Sequence, residues 1–387
     1  MQSPQPMTEL ALMAESSREL YIGLMSGTSL DGVDAVLARF PQDSGSTQVL
    51  AHCHQPFPAD LRCDLLALNS PGDNELHRAA LAANAVARSY AELTTQLLKT
   101  AGRTARDIAA IGAHGQTIRH RPGEFDGCGY TTQLLNGALL AELTGVAVVC
   151  DLRSRDLAAG GQGAPLVPAF HRTLFGRADR EVAVLNIGGI SNISLLSADG
   201  RTLGFDCGPG NCLMDLWIAR HLGCSFDAGG AWAASGTLLP AMLQALLDEP
   251  FFTRPPPRST GRDLFNEQWL AAQVPTLESA AAANVQATLL ELTAQSIARC
   301  LHDHAPATQE LLVCGGGALN TRLMQRLQQL LPDTTVQPTD ARGLPAMQVE
   351  AAAFAWLAMR WVHALPGNLQ EVTGAAGPRI LGSMYPA

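Results

Sequence analysis

The chain holds 387 residues, 47% of them hydrophobic and 16% charged, which excludes a disordered polyelectrolyte and leaves enough apolar surface for real cores. Its net charge of −9 excludes a general nucleic-acid or anionic-membrane binder, because no cationic excess is available to meet phosphates. Lys99 is the only lysine, and no glycine loop precedes it; a P-loop NTPase or a protein-kinase-type ATP site needs a lysine inside a set motif.

Residues 1–19 contain Glu9 and Glu15 but no basic n-region, so they do not read as a secretory signal. Tyr21–Met25 and Val33–Ala38 read as the strands of a hairpin around a Ser26–Gly32 turn. Apolar residues at helical spacing (Leu76, Ala80, Ala83, Ala87, Tyr90, Leu97) predict a helix over 75–100. A buried strand, Ile108–Gly112, then runs into His114-Gly115-Gln116-Thr117, and a further strand, Val146–Val149, ends in Cys150-Asp151-Leu152-Arg153. Val182–Ile187, a Gly188-Gly189 turn and Ile193–Leu196 form a second hairpin-like unit, so the order strand, glycine turn, strand, helix occurs twice. Pro255-Pro256-Pro257 reads as an extended surface connection. A helix over about 285–301, the strand Glu310–Val313 and helices over 319–330 and 347–361 complete the pattern. Strands alternating with helices in two consecutive sets predict an α/β fold of two lobes, each around a mostly parallel or mixed sheet.

Nine cysteines without a C-x-x-C pair supply neither a disulfide framework nor a zinc ribbon, and they point to a reducing cytoplasm. The nearest approach to a membrane span, Ala351–Leu365, is interrupted by Arg360 and His363, and none is expected.

Ligands of open α/β sheets collect at the carboxyl ends of strands, where four glycine- or polar-rich turns fall here: Ser26–Gly32, Asn186–Asn192, Gly204–Asn211 and Gly315–Asn320. Backbone amides exposed by such turns bind anions without a lysine. Asp31 and Asp206 are the carboxylates flanked by glycine in these turns, and room left by Gly204 and Gly208-Pro209-Gly210 favours a functional Asp206. His114 reads equally as a base, a substrate donor or a half-buried polar residue. Asp151, Arg153, Arg155 and Asp156 form a charged cluster that reads as a solvated loop or, with Gly160–Pro165, as a flap over a site. Glu350 sits on an otherwise apolar helix, as an exposed stripe or as a carboxylate turned inward.

Ile22–Asp34, His114–Thr117, Asn186–Asn192, Gly204–Asn211, Ser259-Thr260-Gly261-Arg262 and Cys314–Asn320 together resemble the anhydro-N-acetylmuramic acid kinases, collinearly from about residue 20 to 380. That resemblance implies the actin-like ATPase (sugar kinase) fold with a nucleotide cleft between two lobes. Lobe I is then expected over 20–160, with a C-terminal helix at about 345–387 packing back on it. Lobe II, with the nucleotide and the catalytic base, is expected over 161–344. It also implies ATP and Mg²⁺ as cofactors and a homodimer in the cytoplasm. The substrate it implies is 1,6-anhydro-N-acetylmuramic acid, opened by water and phosphorylated at O6 in cell-wall recycling. By motif, Ser26, Gly27, Thr28, Ser29, Leu30, Asp31, Gly32 and Val33 are expected to hold ATP phosphates. Gly188, Gly189, Gly315, Gly316 and Gly317 are expected to line the nucleotide pocket. Asp206 is similar to the family's base, and Glu350, Arg153 and His114 are expected at the sugar. Cys207 stands where the family has threonine, and Asn284 where an aspartate is common.

The chemistry suits one base. Ring opening resembles inverting glycoside hydrolysis, but the leaving O6 takes a phosphoryl group in place of a proton, so no paired acid is required. Asp31 is the candidate for Mg²⁺, which prefers few carboxylates and several waters. A sugar kinase acting on an ordinary hydroxyl and an ATP-binding regulator without turnover are the competing readings.

Overall fold

The computed structural model describes residues 20–40, 47–275 and 277–387 of the chain; the leader reading at 1–19 lies outside them. The chain divides into two compact units, one made of residues up to 170 together with 350–387, the other of residues 171–349.

The first unit is built on strands β1 (Leu20–Met25), β2 (Gly32–Arg39), β3 (Gln48–Pro56), β4 (Ile108–Ala113), β7 (Val148–Cys150) and β13 (Ser383–Tyr385), ordered β13-β7-β4-β1-β2-β3. A separate ribbon pairs β5 (Gln116–Pro122) with β6 (Gly129–Leu134). The second unit orders β8 (Val182–Ile187), β9 (Ile190–Leu196), β10 (Thr202–Pro209), β11 (Glu310–Cys314) and β12 (Thr335–Pro338) as β10-β9-β8-β11-β12. One scheme thus occurs twice. Three antiparallel strands meander outward, and two parallel strands join the other side of the first. Antiparallel neighbours need only a tight turn, whereas parallel ones need a long crossover. The helices Glu75–Ala101 and Ala282–His304 lie in those crossovers. The first stops where Gly102 turns left-handed at φ 62°, a conformation glycine adopts without a Cβ penalty.

β8 is buried at all of its residues, as expected of a strand with both faces covered. Its core cluster includes Leu289, Leu292, Val313 and Trp217. In the first unit the sheet instead presents Gly23 and Gly112, adjacent in register. A Cβ at Gly23 would fall 1.8 Å from the carbonyl oxygen of Ala351, and one at Gly112 would fall 1.9 Å from that of Phe354. The helix Val349–Val362 therefore rests backbone to backbone on the sheet. Its alanine-rich face makes that approach possible.

The polar run after Ala113 ends β4, as the sequence implies, and its Gln116 opens β5. Gln116 and Ile118 are buried there while Thr117 and Arg119 alternate outward. Strands β3, β6, β10, β12 and β13 add to those expected from the sequence, and residues 204–209, expected as part of a turn, lie in β10. β3 and β13 form by pairing along the edges of β2 and β7.

Candidate active site

In the first unit the turn after β1 is anchored from below. Ser26 is buried, its Oγ 2.8 Å from the Tyr90 hydroxyl and donating to the Gly115 carbonyl at 3.1 Å. Burial pushes the Tyr90 phenol well above its usual range, so it stays a neutral partner. Gln116 Nε2 donates to the Gly27 carbonyl at 3.0 Å, and the Leu30 amide closes the turn on the same oxygen at 3.3 Å. Leu30 and Val33 point into the core, and Leu30 holds a left-handed φ of 58°. Only their backbones can therefore serve a ligand. Asp31 is exposed and accepts a 2.8 Å bond from Ser29 Oγ.

His114, Arg153 and Glu350 come together in this unit. Arg153 approaches His114 Nε2 with Nη2 at 2.9 Å and Nε at 3.2 Å, and its Nη1 donates to the Gly163 carbonyl at 2.8 Å. A guanidinium can only donate, so Nε2 accepts and the ring proton sits on Nδ1, which donates to the Ser26 carbonyl at 3.1 Å. Burial and then the Arg153 charge lower the His114 pKa to about 3, so the ring is neutral. It also packs on Phe354, 4.7 Å between centroids. With both nitrogens engaged, His114 aims Arg153 rather than acting as a base. Burial lowers the Arg153 pKa to about 10, against the opposing pull of Glu350 and Asp156. Asp156 is wholly buried, not solvated: it accepts from the Gly163 amide, Asn368 Nδ2 and Thr373 Oγ1 at 2.8, 2.7 and 2.8 Å, tying the glycine loop to the C-terminal segment.

The second unit holds Asp206, half-buried on β10 where a register shift between Asp206 and Gly208 turns the strand. Its Oδ2 accepts from the Thr260 amide at 2.9 Å and from Ser259 Oγ at 3.3 Å; among the described residues no hydrogen bond reaches Oδ1. Desolvation outweighs those bonds and the nearby Arg258 charge, raising the Asp206 pKa to about 6. Arg258 fixes this arrangement from behind. Its Nε donates to the Asp206 carbonyl at 3.0 Å, its own carbonyl accepts the Asp206 amide at 3.2 Å, and its guanidinium lies 5.3 Å from the centre of the Phe205 ring. The sequence assigns the Ser259-Thr260-Gly261-Arg262 motif no role of its own. Its closeness to Asp206 spans some fifty positions and is a tertiary fact.

Gly188 and Gly189 join β8 to β9. Their carbonyls accept the amides of Gly210, Asn211 and Cys212 at 2.8–3.1 Å, which aligns the turn with the 208–212 bend. In a trans peptide the N–H points opposite to the C=O, so the Gly189 amide faces away from that bend. The amides of Gly188 and Gly189, like those of Thr28 and Ser29, have no protein acceptor among the described residues. These are the unspent donors that a phosphate chain requires. Gly315, at φ 77°, lies so close to Asn186 that a Cβ would fall 2.4 Å from its Oδ1, and a Cβ at Gly317 would strike Ile187 at 2.3 Å. Gly316 has only Asn211 Nδ2 within reach, at 3.7 Å. Glycines 315 and 317 therefore serve close packing of the β11 end on β8, leaving Gly316 as the accessible one.

Cys207 is fully buried, its thiol hydrogen-bonded with that of Cys300, and burial pushes its pKa up. Asn284 accepts the Thr237 amide at 2.8 Å, a structural bond. Among the described residues no group of three or more His, Cys, Asp or Glu side chains forms a metal cage. A lone carboxylate such as Asp31 fits a Mg²⁺ ion that takes its other ligands from phosphates and water. Among the described residues no helix is long and apolar enough to cross a membrane, and the cysteines form no disulfide.

The doubled sheet order, with its glycine turns at strand ends, defines a protein of the actin-like, sugar-kinase fold class. The family model described as anhydro-N-acetylmuramic acid kinase matches residues 19–387, and the chain belongs to that family. It is 59% identical to the anhydro-N-acetylmuramic acid kinase of Variovorax paradoxus (strain S110), covering 95% of this chain and 99% of that protein. It is 58% identical to that of Cupriavidus pinatubonensis (strain JMP 134 / LMG 1197), over 95% and 98% of the two chains. Among solved structures, the activator of the 2-hydroxyisocaproyl-CoA dehydratase from Clostridium difficile with bound ADPNP aligns with a TM-score of 0.47 at 11% identity, over 89% of this chain and 96% of that one.

Proposed function

We propose that the chain uses ATP to phosphorylate O6 of 1,6-anhydro-N-acetylmuramic acid while water opens the anhydro bridge, giving N-acetylmuramic acid 6-phosphate in cell-wall recycling. The observation that carries this reading is Asp206: one oxygen fixed by Thr260 and Ser259, the other open, and a pKa lifted to about 6. A carboxylate in that state is ionised at neutral pH and basic enough to take a proton in the transition state.

The open Oδ1 removes a proton from water as the water oxygen bonds to the anomeric carbon. The C1–O6 bond breaks, and O6 bonds to the γ-phosphorus as the bond to the β-phosphate oxygen breaks, releasing ADP. The 258–260 segment keeps Asp206 oriented throughout. Gly188-Gly189 and Gly315–Gly317 are the turns for the nucleotide, and the Ser26–Val33 turn is the one for its phosphates. His114 positions Arg153, whose guanidinium suits the lactyl carboxylate of a muramic sugar, and Glu350 accepts from its hydroxyl or amide groups. Mg²⁺, when bound, neutralises charge on the β- and γ-phosphates, and Asp31 would hold it. The reading extends, on family resemblance alone, to a cytoplasmic homodimer.

Incubation with ATP, Mg²⁺ and the anhydro sugar in ¹⁸O-water, followed by mass analysis, tests the reaction. The product should carry one solvent oxygen at the anomeric carbon and one phosphate at O6. Phosphorylation without solvent oxygen would mean an ordinary sugar kinase, and nucleotide binding without product would mean a regulator.

A further inference from the structure

A chain with one lysine, exposed on the helix Glu75–Ala101, still has to neutralise a transferring phosphoryl group. Positioning and charge stabilisation do nearly all the work in that step, so a second cation beside Mg²⁺ is expected near the nucleotide turns. Most arginines of the second unit are committed elsewhere. Arg326 is bonded to Glu291, Arg342 to Glu310, and Arg258 to carbonyl oxygens and Cys300. Arg262 is different. It is exposed and forms no ion pair within 4 Å and no side-chain hydrogen bond among the described residues. Its guanidinium nevertheless has a definite seat: a methyl group at Gly189 would lie 3.4 Å from Nη2 and 3.5 Å from Nε. It thus rests on the glycine turn whose amides are unspent. Its charge also reaches Asp215 and Cys212 at the start of the following helix.

The same short segment clamps the base, since Ser259 and Thr260 hold Asp206 Oδ2 and Arg258 holds its backbone. Residues 258–262 therefore connect the proton acceptor to the glycine turn. We propose that Arg262 is the phosphate-binding arginine of the site, its guanidinium meeting the oxygens of the nucleotide's terminal phosphates over Gly188-Gly189. The proposal rests on the nucleotide reading of that turn and names the cation it lacks. An arginine fork fits phosphate oxygens in pairs, which lets it replace the lysine of other ATP sites.

Steady-state kinetics of Arg262→Gln and Arg262→Lys on the full chain, with ATP and the anhydro sugar varied separately, test the assignment. Arginines that stabilise phosphoryl transfer are worth about 10³–10⁵ in rate, so Arg262→Gln should lose at least about a hundredfold in kcat/KM for ATP. Arg262→Lys should recover part of that, KM for the sugar should stay within about twofold, and the acidic limb of the pH profile should not move. A loss of less than about threefold in the glutamine variant overturns the assignment. A rise confined to KM for the sugar also overturns it, and places the arginine at the lactyl carboxylate instead. A shifted acidic limb without rescue by lysine reduces Arg262 to a support for Asp206. Wild-type protein that transfers no phosphoryl group overturns the functional reading and the arginine's role together; an active wild type beside an indifferent variant overturns the latter alone.

Discussion

The β1–β2 turn and the β8–β9 turn occupy the same place in two copies of one sheet, yet they are built from different materials. The first is long and carries its own chemistry: Thr28, Ser29 and Asp31 on the outside, with Ser26, Gln116 and Tyr90 anchoring it beneath. The second is a bare glycine pair whose carbonyls are committed to the 208–212 bend. It borrows its side chains from the 258–262 segment, which also holds Asp206. Duplicating a sheet fixes where its turns lie but not what they carry. The first site is local in sequence, and the second is assembled across more than fifty positions.

The sharpest way to break this contrast is to remove the base. Asp206→Asn should lower kcat by about 10²–10⁴, with KM for ATP little changed. The working form is the carboxylate, and its pKa is raised to about 6, so wild-type turnover should fall as pH drops below about 6 and level off above it. That limb should vanish in Asp206→Asn. A variant with near-normal kcat retires Asp206, and a limb that persists in the variant belongs to another group.

A second test uses the register-matched pairs at the centre of the two sheets. In the first unit these are Gly23 and Gly112, under the helix Val349–Val362; in the second they are Leu185 and Val313, within the core. Adding a methyl in the first should hurt, as should removing methyls in the second. Gly112→Ala places a Cβ 1.9 Å from the Phe354 carbonyl oxygen and should cost about 3 kcal/mol or more. Val313→Ala, at a fully buried site, should cost about 2 kcal/mol through lost burial and the space left behind. Denaturant unfolding of both variants measures the pair, and a tolerated Gly112→Ala would show that the helix does not press on the sheet.

Glu350 sits in the first turn of that helix, so its placement depends on the close packing below it. Glu350→Gln keeps the shape and removes the charge. It should raise KM for the sugar by about tenfold, the value of one charge-assisted hydrogen bond, and leave KM for ATP unchanged. An effect on ATP alone would move Glu350 to the nucleotide.

Much of this architecture can be read from the residues in order. Glycine turns between short apolar runs mark both hairpins, and helical spacing marks the crossovers. Residues 310–330 already show strand, glycine bend and helix. Asp206 stands out because glycines flank it on both sides. What cannot be read depends on distant partners. Asp156 looks like one more charge in a solvated loop, and only Asn368 and Thr373, more than 200 positions away, make it a buried tie. His114 looks like a possible base until Arg153 and the Ser26 carbonyl take both ring nitrogens. Arg258 and Arg262 follow a proline run that reads as a connection, and their roles exist only because that connection returns to β10 and to Gly189.

The smallest effect lies inside the first turn, where two serines three positions apart do different work. Ser26 Oγ is buried between Tyr90 and Gly115, so Ser26→Ala leaves a buried phenol short of a partner and should cost about 1–3 kcal/mol of stability. Ser29 Oγ is exposed and bonded to Asp31 at 2.8 Å. Removing it frees a carboxylate that water can satisfy, so stability should change by less than about 0.5 kcal/mol. If that bond holds Asp31 ready for Mg²⁺, Ser29→Ala should raise the Mg²⁺ concentration needed for half-maximal turnover by about twofold, in line with a net exposed hydrogen bond of about 0.5 kcal/mol. Titrating Mg²⁺ at saturating ATP and sugar reads this directly. An unchanged midpoint would leave the hydroxyl no part in metal binding and make the first turn, like the second, a scaffold whose chemistry comes from its backbone.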